Sequence, residues 1–216
     1  MVVEATELRE LELHAEGFEY VIGVDEVGRG AIAGPVVVVA ALRRRASSPA
    51  PAGLRDSKLL SPAQRERMAP LAASWAEHWA LGSASAIEID EHGIIACLQL
   101  AADRALTEIW SAGFAPERSV VLLDGTHNWL TGLRPQPAAI RVQAKADRDC
   151  SIVAAASVIA KVDRDRTMTL AHPAAPMYGW SGNKGYGSAV HLAAIAEYGP
   201  HELHRKTWIR GAEATT

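Results

Sequence analysis

At 216 residues, 49% of them hydrophobic, and with a formal net charge of −3, the chain can bury a sizeable core and is not a general polyanion binder. No apolar run approaches the roughly 20 residues that span a bilayer, so no membrane association is expected. The acidic stretch Met1 to Glu19 lacks the basic-then-apolar layout of a secretory signal, and Cys97 and Cys150 stand far apart among apolar or small residues. They read as packing thiols of a reducing compartment, and a cytoplasmic protein is expected.

Charge is unevenly spread. Residues 1 to 20 hold six Glu against Arg9, whereas residues 141 to 210 hold ten Lys or Arg against six acids. A nucleic-acid partner would lie toward the C-terminal part, where Lys and Arg neutralise phosphates. Taken alone, such a bias describes a solvated helix face equally well.

In chain order, Val21 to Asp25 and Pro35 to Ala41 read as two strands joined by a glycine-rich turn. Arg43 to Arg55 is a Ser/Pro/Ala-rich surface loop. Ser61-Pro62-Ala63-Gln64 carries a capping serine, a proline at the first helical position and Gln at the capping-box position, which predicts a helix toward Trp75. Trp79 to Ala86 reads as a third strand. Asp90 to Ala112 reads as one long helix, with Ile94, Leu98, Ala101, Ala105 and Ile109 spaced at three and four. Val120 to Asp124 is an all-apolar strand of the kind found at a sheet centre, and Ala139 to Gln143 is a further strand. From Ser151 to about His172 an alanine-rich helix is predicted, its apolar residues Ile152 to Val162 in the core.

Candidate chemistry sits where these elements end. Val21-Ile22-Gly23-Val24 runs into adjacent carboxylates, Asp25 and Glu26, followed by Gly28-Arg29-Gly30. Strand alternation would send the two acids to opposite faces unless the chain turns there. Glycines make a turn easy and let a backbone approach a ligand closely. The pattern recurs at Asp124-Gly125, and residues at the carboxyl ends of strands build the sites of open α/β sheets. Asp147 lies just before the alanine-rich helix, where a helix N-terminus favours a carboxylate. Each feature also has a plain reading: turn residues, an N-terminal cap.

Taken in order, the motifs resemble the ribonuclease HII family, the type 2 ribonucleases H. They are Gly23-Val24-Asp25-Glu26-Val27-Gly28-Arg29-Gly30, Asp56-Ser57-Lys58-Leu59-Leu60, Leu123-Asp124-Gly125, Lys145-Ala146-Asp147 with Ala154-Ala155-Ala156-Ser157 and Ala160-Lys161-Val162, and Lys184-Gly185-Tyr186-Gly187. The resemblance runs from about Gly23 to about Trp208.

The resemblance implies an α/β fold, an RNase H-like mixed sheet flanked by helices, with a C-terminal helical extension. Residues 1–216 would form one catalytic domain, the segment from about 173 to 210 packing beside the active-site cleft. It implies catalytic and metal-binding roles for Asp25, Glu26, Asp124 and Asp147, with two Mn²⁺ or Mg²⁺ ions when substrate is bound. Hard carboxylate oxygens suit such ions. Gly28, Arg29 and Gly30 would read a ribose 2′-hydroxyl and Tyr186 would sense the junction with DNA. Lys58 and Lys184, and less directly Arg205 and Lys206, would contact phosphates, while His127, His191, His201 and His204 are expected to be structural or surface groups.

The implied activity is hydrolysis of the phosphodiester 5′ of ribonucleotides, in RNA/DNA hybrids and singly embedded in duplex DNA, leaving 3′-hydroxyl and 5′-phosphate ends. Its use would be removal of misincorporated ribonucleotides by a monomer. Another metal-dependent nuclease of the same fold, or a non-catalytic hybrid-binding protein, are the alternatives. No aromatic-rich motif for docking a sliding clamp stands in Gly211 to Thr216.

Overall fold

A computed structural model describes residues 4–45 and 48–209. Part of the surface loop expected over Arg43 to Arg55, and the segment Gly211 to Thr216, lie outside the described residues.

Five strands form one sheet in the order β3-β2-β1-β4-β5. They are β1 (Tyr20–Val27), β2 (Val36–Arg43), β3 (His78–Ala84), β4 (Ser119–Asp124) and β5 (Ala139–Gln143). The first three form an antiparallel meander, and β4 and β5 run parallel to β1. The sheet is therefore mixed, as expected, and the carboxyl ends of β1, β4 and β5 share one edge.

Helices cover both faces. On one side lie α2 (Pro62–Trp75) and α6 (Ser151–Ala171), packed over Val21, Val39, Val120 and Leu122. On the other, α4 (Ile94–Ser111) packs over Ile22, Val24, Val38, Leu42, Val121 and Leu123. Burial on both faces explains why β2 and β4 read as unbroken apolar runs. Helix α6 is apolar nearly all round from Ile152 to Ala160, the composition of a helix enclosed by other elements. Gly23 lets it sit directly on β1, since a Cβ there would come within 2.6 Å of the Ile152 main chain.

Helix α1 (Leu8–Ala15) is tied to α6 by Glu10, whose Oε1 accepts from the Ile152 N–H at 2.7 Å and so caps the start of α6. The predicted capping box of α2 is present, with Ser61 and Gln64 exchanging bonds at 3.3 and 2.8 Å.

One prediction fails in detail. The long helix expected over Asp90 to Ala112 is two, α3 (Ala86–His92) and α4, broken at Gly93, whose φ of 79° lies outside the helical region. Ser85 starts α3 with a second capping box, so the strand expected to reach Ala86 stops at Ala84. After α6 the chain forms 3₁₀ turns at His172–Ala174 and Pro176–Tyr178, then α7 (Trp180–Asn183), α8 (Ala189–Tyr198) and a turn at Lys206–Trp208. With Ala33 and Met168 these enclose a third apolar cluster around Tyr178, Trp180 and Ile195. Cys97 and Cys150 are free and buried. No helix among the described residues is long and apolar enough to cross a membrane.

Candidate active site

The parallel pairing of β1 and β4 matches Val24 with Leu123, so the next residues, Asp25 and Asp124, lie side by side. Neighbouring strands are about 4.8 Å apart, close enough for two carboxylates to share a ligand or repel strongly. Asp147 lies just ahead of α6, as the sequence suggested, and does so within a four-residue helix of its own, α5 (Ala146–Asp149). That turn follows β5 at once and brings the Asp147 N–H to 3.3 Å from Asp124 Oδ1. Lys58 Nζ donates to Asp147 Oδ2 at 2.9 Å and stands 4.0 Å from Asp56 Oδ1.

Glu26 takes a different position. The chain does not turn at Asp25, because β1 continues to Val27 and alternation holds. Asp25 lies on the α6 face and Glu26 on the α4 face, where Arg29 Nη1 is 3.6 Å from its Oε1. Glu26, Arg29 and Asp124 open into a cleft of about 570 Å³ that also holds Gln99, His127 and Trp129. The four predicted acids thus straddle the carboxyl edge of the sheet.

Their electrostatics are those of crowded like charges. Burial, and then the neighbouring Glu26, push the Asp25 carboxyl well above its ordinary range, with Asp124 and Asp147 adding to the rise and Ser157 opposing it. Glu26 is raised by burial, with Arg29 opposing. Asp124 is raised by burial and then by Asp147. Lys58 stays charged: burial works against it, but the hydrogen bond and charge of Asp147 prevail.

Gly28-Arg29-Gly30 follows β1 directly and belongs to a platform knitted from three distant segments. The Ile32 and Ala33 N–H groups donate to Gly185 O at 2.9 and 3.0 Å, the Gly34 N–H to Leu203 O at 2.8 Å, and the Arg205 N–H to Ile32 O at 2.9 Å. Tyr186 is 38% exposed, with Lys161 Nζ 5.7 Å and the Arg164 guanidinium 5.3 Å from its ring. The Lys184 ammonium is bonded to Thr169 Oγ1 and Ser181 O at 2.6 Å each, on a separate cleft with Arg65 and Arg166. The reading of Arg205 as a phosphate contact is wrong: its side chain is fully buried and bonded to main-chain carbonyls of residues 28, 29 and 34. Lys206 is exposed, its N–H held by Asp90 at 2.8 Å.

Of the four histidines considered, His191 and His204 are buried and structural. His204 Nδ1 accepts from the His201 N–H at 2.8 Å, so its proton is on Nε2 and is donated to His191 Nε2 at 3.0 Å. His191 then carries its proton on Nδ1 and donates it to Tyr186 O at 2.9 Å, holding the tyrosine loop. Burial, then His191, push His204 down to about 4. By linkage, the stability this neutral imidazole contributes is complete above about 6.5 and is lost as pH falls toward 4. In an NMR titration His204 is expected to stay neutral until about pH 4. Titration of His204 near the ordinary imidazole value of about 6.5 would contradict this network.

Sequence reasoning quoted Asp56, Ser57 and Ser157 only as parts of motifs and placed Arg164 simply within the helix. In the fold, Ser157 Oγ donates to Ser57 Oγ at 2.9 Å beneath Asp25, and Asp56 faces Lys58. The available signal was a lone hydroxyl, Ser157, in an otherwise apolar stretch of α6.

Among the described residues no three His, Cys, Asp or Glu side chains converge into a cage for one ion. Mg²⁺ keeps several waters and binds through one or two carboxylates plus substrate phosphate, whereas zinc prefers a compact set that includes nitrogen or sulfur. The candidate donors are hard carboxylate oxygens, Asp25 and Asp147 buried and Glu26 and Asp124 lining the cleft, and the raised proton affinities of Asp25, Glu26 and Asp124 mark a site short of positive charge.

Comparison with known proteins bears on the family and the fold. The family model described as Ribonuclease HII matches residues 22–211. A Ribonuclease HII of Streptomyces griseus is 47% identical over 89% of this chain and 78% of its own length. One from Thermus thermophilus is 42% identical over 90% and 88%. Among solved structures, Bst-RNase HIII in complex with Mn²⁺ aligns with a TM-score of 0.69 at 25% identity, over 90% of this chain and 68% of that one. The ribonuclease H2 of Pyrococcus horikoshii OT3 shares the fold with a TM-score of 0.63 at 24% identity, covering 90% and 97%. With the fold, the acids at its carboxyl edge and these matches in agreement, the chain belongs to the ribonuclease HII family and is a hydrolytic endoribonuclease.

Proposed function

We propose that the chain hydrolyses the phosphodiester on the 5′ side of ribonucleotides, in RNA/DNA hybrids and singly embedded in duplex DNA, leaving 3′-hydroxyl and 5′-phosphate ends. The observation that carries this reading is the adjacency of two devices: the acids at the ends of β1 and β4, and the glycine-flanked turn that continues β1. Asp25, Glu26, Asp124 and Asp147 would hold two divalent ions, Mg²⁺ or Mn²⁺. Once bound, such ions neutralise phosphate charge, make a water acidic enough to attack and stabilise the departing oxygen. The Mn²⁺ of Bst-RNase HIII supports that choice.

The remaining work falls to the chain itself. Main-chain groups of Gly28, Arg29 and Gly30 meet the 2′-hydroxyl, the group that separates RNA from DNA. Tyr186 stacks on the deoxyribose beyond the junction. Lys58 compensates Asp147 and, being mostly exposed, reaches toward the scissile strand. Lys184 adds positive charge on the neighbouring cleft. The chain would act as one catalytic domain, with the segment from about 173 to 210 beside the cleft, as a cytoplasmic monomer that removes misincorporated ribonucleotides.

The test is a nicking assay with Mn²⁺ or Mg²⁺ on duplexes carrying one, four or many ribonucleotides and on an all-DNA control. Cutting on the 5′ side of each ribonucleotide, with the control intact, is the expected result. An untouched ribonucleotide duplex would refute the reading, and cutting of the control would point to another nuclease of this fold.

A further inference from the structure

Arg164 and Arg205 are both fully buried, and every hydrogen bond of either side chain goes to a main-chain carbonyl. Arg205 Nη2 donates to Gly28 O at 2.7 Å and to Gly34 O at 3.1 Å, Nη1 to Arg29 O at 2.9 Å, and Nε to Gly34 O at 3.3 Å. Arg164 donates to Pro35 O, Ala33 O and Lys184 O at 2.9, 3.0 and 2.8 Å. Burying a guanidinium without a carboxylate is unfavourable, and apolar side chains would fill the space with less penalty. What a guanidinium provides is a rigid fork of five donors that fixes several acceptors at once.

Those acceptors include two of the three carbonyls of the Gly28-Arg29-Gly30 turn, Gly28 O and Arg29 O. In a trans peptide the C=O and the following N–H point in opposite directions. Pulling Gly28 O and Arg29 O inward therefore turns the N–H groups of Arg29 and Gly30 outward. Both residues are exposed, and neither amide donates to an acceptor among the described residues. Two successive free amides on one side of a turn form a concavity suited to an oxygen acceptor.

We propose that Arg205, braced by Arg164, is the positioning residue for substrate discrimination: it aims the Arg29 and Gly30 amides at the 2′-hydroxyl oxygen of the ribonucleotide. The inference rests on the reading of this turn given under the proposed function. It assigns to a residue almost at the far end of the chain a role in which it touches no substrate.

The test compares binding of a duplex carrying one ribonucleotide with binding of the same duplex in all-DNA form, with Ca²⁺ in place of Mg²⁺ or Mn²⁺ to keep the substrate whole. In Arg205→Gln the preference for the ribonucleotide duplex should fall at least tenfold, while all-DNA affinity stays within twofold of the unaltered protein. Arg205→Lys, which keeps the charge but not the fork, should lose the preference as well. A merely structural role would lower both affinities together, and that result, or a preference unchanged within twofold, overturns the proposal. If the unaltered protein has no preference, the reading of the turn falls and the inference with it. If Arg205→Gln does not fold, NMR of the unaltered protein decides. The Arg29 and Gly30 amide protons should move on adding the ribonucleotide duplex and much less on adding all-DNA duplex; equal or absent shifts overturn the proposal.

Discussion

Asp25→Asn is expected to abolish nicking of a ribonucleotide duplex, by roughly 10³-fold or more, and at the same time to raise the melting temperature of the chelated protein. The first effect follows from position. Asp25 is the buried acid whose carboxyl feels the charges of Glu26, Asp124 and Asp147 together, so under the proposed function its charge would contribute to holding both ions. A 10³-fold loss corresponds to about 4 kcal/mol of transition-state stabilisation. The second follows from the sign of its proton affinity. A carboxyl whose pKa is raised on folding stabilises the fold fully only below its unfolded value of about 3.9, and that contribution is lost as pH rises through the folded value. Above that unfolded value, folding without metal therefore carries a cost, whether the buried carboxyl is charged or must take up a proton, and Asn does not incur it. Removing even 1 to 2 kcal/mol of such a cost would raise the melting point by roughly 2 to 8 °C in a chain of this size. Added Mn²⁺ should stabilise the unaltered protein more than the variant, because ligand binding to the native state adds directly to its stability. Thermal melts with EDTA and with Mn²⁺, beside the nicking assay, check all three. A variant that cuts at a rate near that of the unaltered protein would remove Asp25 from the catalytic set.

The second large effect separates two glycines two residues apart. Gly28 has φ of +83°, and a Cβ there would lie 2.0 Å from Nε of Arg164, a side chain held by three carbonyls and unable to withdraw cheaply. Gly28→Ala should therefore destabilise the fold by about 2 to 4 kcal/mol, from backbone strain and from displacement of the buried guanidinium. Around Gly30 no atom lies within 4 Å of the Cβ position. Gly30→Ala should change stability by no more than about 0.5 kcal/mol. If the turn reads the ribose, however, the added methyl obstructs the approach, and kcat/KM on a ribonucleotide duplex should fall by roughly tenfold or more. Denaturant titration and kinetics on the same pair of variants check the contrast. Equal stability loss at both positions would contradict the geometry of the turn.

Much of the fold was legible because it rests on interactions between residues close in the chain. The capping box at Ser61 and Gln64, the spacing of apolar residues in α4 and the unbroken apolar run of β4 each lie within one element. The acids were legible for the same reason, as carboxylates that abruptly end apolar runs. Gly93 stands within the stretch read as one helix, and only its backbone, with φ of 79°, shows that the helix breaks there. The fate of Glu26 depended on whether β1 stopped at Asp25. Pairing of Glu26 with Val38 and of Val27 with Val37 carries the strand onward and puts the neighbouring acids on opposite faces.

By itself, then, the sequence determined most element types, the family and which four acids are candidates for the site, since propensity, periodicity and motif order are local or additive properties. Tertiary structure alone decided that Asp25 and Asp124 are neighbours, that Asp147 reaches them through a short turn after β5, and that Arg164 and Arg205 lie buried beneath the glycine turn. An arginine near the C-terminus reads as a surface charge until packing removes it from water. Packing, unlike periodicity, depends on residues more than a hundred positions away, such as the 177 that separate Gly28 from Arg205.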